Sequence, residues 1–302
     1  MSLLGELLAV GSLLLFSANV LLVGPAARRL PRDLGFLLAL ASNVAFATVI
    51  VVGQYLLGDP AELEWDAFAL FAVGGLLTSY LGRWFFVRSV TTIGPTRASA
   101  LQITNPVFTA LAAWVLLGEA LPPMAVLSGL AVIAGLYLAS QQTGRATSPA
   151  SPSRKGSLPV SEIGLALLGA VAYGIGNVAR GAGVRDWEAP IVGSLIGAAT
   201  GFLVYGLVNT DLRKLAGAVR GADGAGRRLW LLGGVLTIGA QTCLIAASLY
   251  IPVAVAVVIS AAVPVVVLPV SVLFLRRTEE VGVRTGVGAV LILSGVAGLV
   301  LS

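Results

Sequence analysis

The stretch GGLLT at Gly74–Thr78 recurs as GGVLT at Gly233–Thr237, 159 residues further along the chain. Other landmarks keep step with it. Asn19-Val20 returns as Asn177-Val178 and Pro106-Val107 as Pro264-Val265, both at 158 residues. Glu119 returns as Glu279, and Ser128–Gly135 as Gly288–Gly295, at 160 residues. Landmarks repeating in the same order over half a chain are the mark of a duplicated unit. Between the copies lies TGRATSPASPSRKGS, Thr143–Ser157, whose Ser, Pro, Gly and basic residues read as a solvated flexible linker. The predicted organisation is a first repeat over 1–142, a linker over 143–158 and a second repeat over 159–302.

Composition says where such a unit lives. Of 302 residues, 57% are hydrophobic and 11% charged, and the mean hydropathy is +0.96. A soluble domain carries about 25% charged residues, so this chain has too few to clothe a water-facing surface. It reads as an all-α integral membrane protein, because an isolated helix satisfies its own backbone in lipid. Apolar runs of about 20 residues, the length that spans a bilayer, occur at 3–25, 34–57, 67–88, 94–117, 122–141, 160–183, 189–209, 228–249, 252–275 and 282–301. MSLLGELLAV at the start lacks a basic region and reads as the first span rather than a signal peptide. Ten spans in two copies make five per copy. Five is odd, so the second copy enters the membrane upside down: a 5+5 inverted repeat, the architecture associated with alternating-access transporters.

Charge sets the expected orientation. Sixteen of the 19 Lys and Arg residues fall on the side of loops 1–2, 3–4, 5–6, 7–8 and 9–10. The opposite side has Arg180 and Arg185, read here as interfacial, and its 2–3 loop GDPAELEWD is acidic. The positive-inside rule makes the basic side cytoplasmic and puts both termini outside a multi-pass protein of the cell membrane. The net charge of +5 is scattered at span ends, which argues against a nucleic-acid partner. The partners expected are the lipid bilayer and a small-molecule substrate. TDLRKLAGAVRGADGAGRR, in the 7–8 loop, reads either as a short amphipathic surface helix or as a plain solvated loop.

Absences narrow the chemistry. The chain has no histidine and one cysteine, Cys243, so no metal site, thiolate cluster or cofactor is expected. No Asp or Glu lies in the central part of any span. Glu6, Glu119, Glu162 and Glu279 sit near span ends, where capping or pairing is their expected work. Neither an enzyme nor a proton-coupled exporter of lipophilic cations is well equipped here.

Polar residues at depth are therefore few. Asn19 and Asn177 are a symmetry-related pair of amides, each able to donate and accept. Arg83, inside SYLGRWFFVRS (Ser79–Ser89), has Gln241 as its counterpart at 158 residues. Tyr80 lies three residues before Arg83 and shares its face on a regular helix. Gln102 and Asn105 are likewise three apart, and Tyr173 is one turn before Asn177. Arg83 lies about 7 to 8 Å deeper than Arg88 at 1.5 Å per residue. That depth allows it either to line a cavity or to snorkel outward. Pro106 and Pro264 each remove a backbone hydrogen bond and are candidate hinges. The candidate substrate-binding set is Asn19, Tyr80, Arg83, Gln102, Asn105, Tyr173, Asn177 and Gln241.

IGPTRASALQITNPVFTALAAWVLLGEALPPMAVLSGLAVIAGLYL, Ile93–Leu138, resembles the end of an EamA-type repeat of the drug/metabolite transporter superfamily: a proline in the fourth span, Gly-Glu at its end, then a Gly-rich fifth span. Pro264, Glu279 and Gly288–Gly295 repeat the pattern, with Arg-Arg-Thr-Glu in place of Gly-Glu. The resemblance covers nearly the whole chain. It implies secondary transport, often export, of metabolites such as amino acids through a cavity between the repeats. It also implies cytoplasmic termini, against the loop count.

The sequence thus predicts a secondary transporter, an exporter, of small anionic or zwitterionic metabolites working by alternating access. A flippase-like carrier of a lipid-linked head group and a non-transport membrane scaffold are the alternatives. On the loop count, an epitope tag at either terminus is labelled by antibody on intact cells; labelling only after permeabilisation reverses the orientation.

Overall fold

The computed structural model describes residues 2–58, 63–93, 101–146, 160–208, 217–219, 221–273 and 283–300. Among these the fold is all-helical. In chain order the elements are α1 (Leu3–Ala27), α2 (Arg32–Leu57) and α3, which begins as Trp65–Gly75, passes through a π-helical segment Leu76–Gly82 and ends as Arg83–Ile93. Then come α4 (Asn105–Leu117), α5 (Pro123–Ala146), α6 (Val160–Asp186), α7 (Pro190–Val208) and α8 (Gly224–Ala247). α9 is two pieces, Val253–Ala261 and Val263–Leu273, and α10 is Val283–Val300. Among the described residues, six helices are long and apolar enough to cross a membrane: those of α1, α2, α3, α6, α7 and α8. The apolar stretches described in α4, α5, α9 and α10 are shorter, Asn105–Leu117, Pro123–Leu138, Val253–Val267 and Gly286–Leu299. α5 continues to Ala146, beyond the predicted start of the linker at Thr143, because nothing before Pro149 forbids a helix. The rest of the linker, residues 210–216 and 220 of the proposed amphipathic segment, and Glu279 lie outside the described residues.

The large apolar side chains left on the outside, among them Leu57 at 92% and Leu207 at 83% exposed, form a surface that only lipid makes tolerable.

Each half packs chiefly on the other half rather than on itself. α1 lies against α8 and α9, as α6 lies against α3 and α4; α2 lies against α8, as α7 lies against α3. α2 meets α7, and α5 meets α10, across the symmetry axis itself. Exchanging the halves therefore maps the packing onto itself.

The quoted glycine pairs make this possible. A Cβ on Gly74 would lie 2.6 Å from the Arg180 Cγ and 2.9 Å from the Gly176 carbonyl oxygen on α6, and Gly75 abuts the Gly197 backbone on α7. In the second copy, Gly233 faces Asn19 on α1, and a Cβ on Gly234 would lie 2.5 Å from the Ala39 carbonyl oxygen on α2. The first glycine of each pair seats one helix and the second seats the next. Without a hydrophobic force between helices in lipid, close approach and the dispersion it brings hold such a bundle together. α5 and α10 join in the same way, Gly135 against the Gly288 backbone and Gly295 against the Ser128 backbone.

The prolines carry the symmetry into the main chain. The Thr104 N–H donates to Leu101 O at 3.1 Å and Val107 N–H to Thr104 O at 3.0 Å. The Ala262 N–H donates to Ile259 O at 3.1 Å and Val265 N–H to Ala262 O at 3.0 Å. Pro106 and Pro264 are both the second residue of a helical piece that restarts after a break. There a missing N–H costs nothing. They mark discontinuities rather than bends inside a helix.

At one end of the bundle, Asp223 caps α8 by accepting the Gly226 N–H at 2.8 Å and pairs with Arg29 at 3.2 Å. The Gly226 N–H first, and then Arg29, hold its carboxyl below the usual carboxylate range. A depressed folded-state value means stability that is present above the unfolded value and lost as pH falls through the folded one. D223A is therefore expected to melt earlier than the parent at pH 7, with the difference closing as pH falls below about 4; a pH-independent difference rejects this role. Gly234→Val is expected to lose about 1 to 3 kcal/mol through overpacking. Gly53→Ala, with open space around it, is expected to be neutral or to gain up to about 1 kcal/mol of helix propensity. Unfolding of the solubilised protein separates the two, and equal effects sink the close-approach argument.

Candidate functional site

The break points and the glycine crossings leave space between the halves. A cavity of about 390 Å³ lies there. α1 contributes Phe16 and Asn19, α2 contributes Phe36 and Asn43, and α3 contributes Thr78, Ser79 and Arg83. Asn105 comes from the start of α4, Tyr173, Asn177 and Arg180 from α6, Thr237 and Gln241 from α8, and Val257 and Ser260 from α9. Thr78 and Thr237, the last residues of the two quoted stretches, both face it. Each spends its hydroxyl proton on its own helix, at the Gly74 and Gly233 carbonyls, 2.8 Å in both cases.

The cavity runs from mid-depth toward the Arg29 end. Phe36 lies only four residues, about 6 Å, into α2. Toward the other end it narrows to a void of about 10 Å³ bounded by Gly181, Leu244, Ser248, Val253 and Val257, room for about one water. Beyond that void a latch closes the bundle. Glu119, after α4, is ion-paired with Arg185 at the end of α6. Its other oxygen accepts the Val253 N–H at the start of α9 at 3.1 Å, while the Arg185 Nε donates to the Ser248 carbonyl at 3.2 Å.

Two guanidiniums dominate the cavity. Arg83 is exposed to it and stacks on the Phe36 ring, 3.5 Å from the centroid; Tyr205 meets that ring edge-on. The side chain points to the cavity and to α2. Arg180 is only 4% exposed. Its Nη1 donates to Gln241 Oε1 and its Nη2 to Ser79 Oγ, both at 3.2 Å, and its Nε has no partner. Tyr173 lies within electrostatic reach of both arginines. Among the described residues lining the cavity there is no Asp or Glu.

Of the predicted binding residues, Asn19, Arg83, Asn105, Tyr173, Asn177 and Gln241 come together here. Asn105 also receives the Thr109 hydroxyl on its main-chain oxygen at 3.0 Å. Gln241 is bonded to Arg180 rather than to Arg83. Tyr80 and Gln102 are not among the lining residues. The π-helical segment gives each turn about one residue more than an α-turn, so a spacing of three no longer puts Tyr80 on the face of Arg83. Gln102 turns its side-chain oxygen toward Gly169 on α6. Arg180, read from the sequence as interfacial, is instead in the cavity wall. The signal was present: Tyr173, Asn177 and Arg180 stand at i, i+4 and i+7, a polar stripe on one helical face. Asn43 also lines the cavity, and with its amide nitrogen turned inward it donates to Gly234 O at 2.6 Å and Ala39 O at 3.0 Å.

A cavity between the halves of an apolar helical bundle marks a membrane protein with room for a small molecule inside it. The chain belongs to the EamA-like transporter family, whose model matches it twice, over residues 3–141 and 160–301. Members of this family are membrane transporters of small molecules and not enzymes. One solved crystal structure, of a protein described only as such, superposes with a TM-score of 0.71 at 20% identity, over 98% of this chain and 98% of its own. At that identity the likeness shows the fold alone. No curated protein matches the chain's sequence.

Glu119→Ala is expected to cost about 1 to 2 kcal/mol, a lost cap plus a weak ion pair. E119Q, which keeps an acceptor for the Val253 N–H, is expected to recover about half of it. Equal losses in chemical unfolding would discard the capping role.

Proposed function

We propose that this protein is a secondary transporter, an exporter, of small anionic or zwitterionic metabolites such as amino acids, working by alternating access. Ten transmembrane spans form a 5+5 inverted repeat of 1–142 and 159–302, with basic loops cytoplasmic and both termini outside the cell membrane. One observation carries the reading: a cavity between the halves that holds two arginines and no acidic side chain among the described residues, running toward one end and latched at the other. A site that opens to one face at a time must have one end packed while the other gives access, and the exchange symmetry of the packing supplies a second arrangement in which the ends swap roles. Asn19, Arg83, Asn105, Tyr173, Asn177 and Gln241 are the substrate-binding candidates, with Arg180 added; Tyr80 and Gln102 remain candidates only for a rearranged state. Pro106 and Pro264 act as hinges, because helical pieces that restart at a break can pivot with few backbone bonds to rupture.

The full chain in proteoliposomes is expected to show saturable counterflow of at least one of labelled serine, lactate, succinate or glycerol 3-phosphate. No flux above empty liposomes for the whole panel overturns the transport reading. Pro106→Ala is tolerated in a first helical turn, so it is expected to leave folding intact. It should slow maximal counterflow at least fivefold with half-saturation within twofold. An unchanged maximal rate removes the hinge role.

A further inference from the structure

The cavity distinguishes among anionic and zwitterionic cargoes. Arg83 and Arg180 bring two positive charges, and among the described residues the titratable groups within electrostatic reach of them are Tyr173 and Tyr205, with Asp33 acting on Tyr205 and not on either arginine. The hydrogen bonds of Arg180 go to neutral oxygens of Gln241 and Ser79, so the charge is solvated but not balanced. Its buried Nε is a donor still waiting for an acceptor. Arg83, held by Phe36 through its flat face, keeps the edges of the guanidinium, where its N–H groups lie, for an incoming oxyanion.

Occlusion makes this imbalance matter. When both ends of the cavity are shut, water no longer screens the site, and the cost of net charge rises steeply. A zwitterion leaves the site at two positive charges and sets its ammonium among guanidiniums with no carboxylate to receive it. A monoanion leaves one charge. A dianion brings the site to zero.

We infer that the cargo is a small dianion, a dicarboxylate or a phosphomonoester, whose anionic oxygens are shared between the edge of Arg83 and Arg180, with the Tyr173 hydroxyl beside them. This narrows, and rests on, the transport reading above.

The test uses the full chain in detergent and in proteoliposomes at pH 7.5 and constant ionic strength. Succinate or glycerol 3-phosphate is expected to raise the unfolding temperature saturably, while serine and lactate do not. Arg83→Gln is expected to weaken that dianion binding at least tenfold and R83K to restore part of it. Arg83 is exposed to the cavity, so these variants keep the fold; R180Q, at a buried site, is read only if it elutes as the parent does. An equal temperature rise in the parent and in R83Q marks general salt stabilisation and overturns the inference, as does the absence of any effect from both dianions. Serine counterflow without dianion binding also overturns it and leaves the transport reading standing. Dianion binding with no flux of any compound sinks the transport reading and leaves the anion site.

Discussion

Where Gly74 and Gly75 cross α6 and α7, and Gly234 crosses α2, backbone meets backbone and a hydrogen atom is the largest side chain that fits, while Gly233 faces the Asn19 side chain of α1. In lipid, helices gain nothing by hiding apolar surface from one another, so contact this close supplies much of the attraction. Because both crossings join one half to the other, they also decide the architecture. The halves interlock, the cavity falls on the seam between them, and the polar residues one turn beyond each glycine pair are delivered into it. Thr78 and Thr237 follow their glycines by four and four residues and both arrive at the same space.

The seam explains how charge survives at this depth. Arg180 is packed against Gly74 and Gly197, its hydrogen bonds reach across to α8 and α3, and lipid never meets it. Arg83 is sheltered differently, by an aromatic face from α2. One arginine is tied down by hydrogen bonds and the other is held by stacking that leaves its donors unspent. The paired end of the molecule, where Glu119 gathers Arg185 and the Val253 N–H, has its charges neutralised locally. The lining of the cavity, among the described residues, offers its arginines no such partner.

The repeat made much of this legible from residues alone. Asn19, Asn177, Asn105, Gln241 and Arg83 stood out because each has a counterpart or sits beside one, and symmetry-related residues of an interlocked duplication converge on the axis. The broken helices at Pro106 and Pro264 were legible as special points for the same reason. Depth counting failed for Arg180, since distance from the end of an apolar run says nothing about which face a side chain occupies; the i, i+4, i+7 stripe would have. Tyr80 failed because its predicted neighbourhood assumed a regular helix. Phe36, the platform for Arg83, carries no signal in an apolar run, and only the fold could choose it from the other aromatics.

The π-helical segment Leu76–Gly82 has a further meaning. From the glycine pair to Arg83 the first copy counts nine residues, and the second counts eight from its glycine pair to Gln241. A one-residue surplus in a regular helix would swing everything after it by about 100°. The wide turn takes up the extra residue within α3 itself. The helix is irregular where an arginine stands in one copy opposite an amide in the other, and a symmetric scaffold acquires a handed site there at the cost of a single turn.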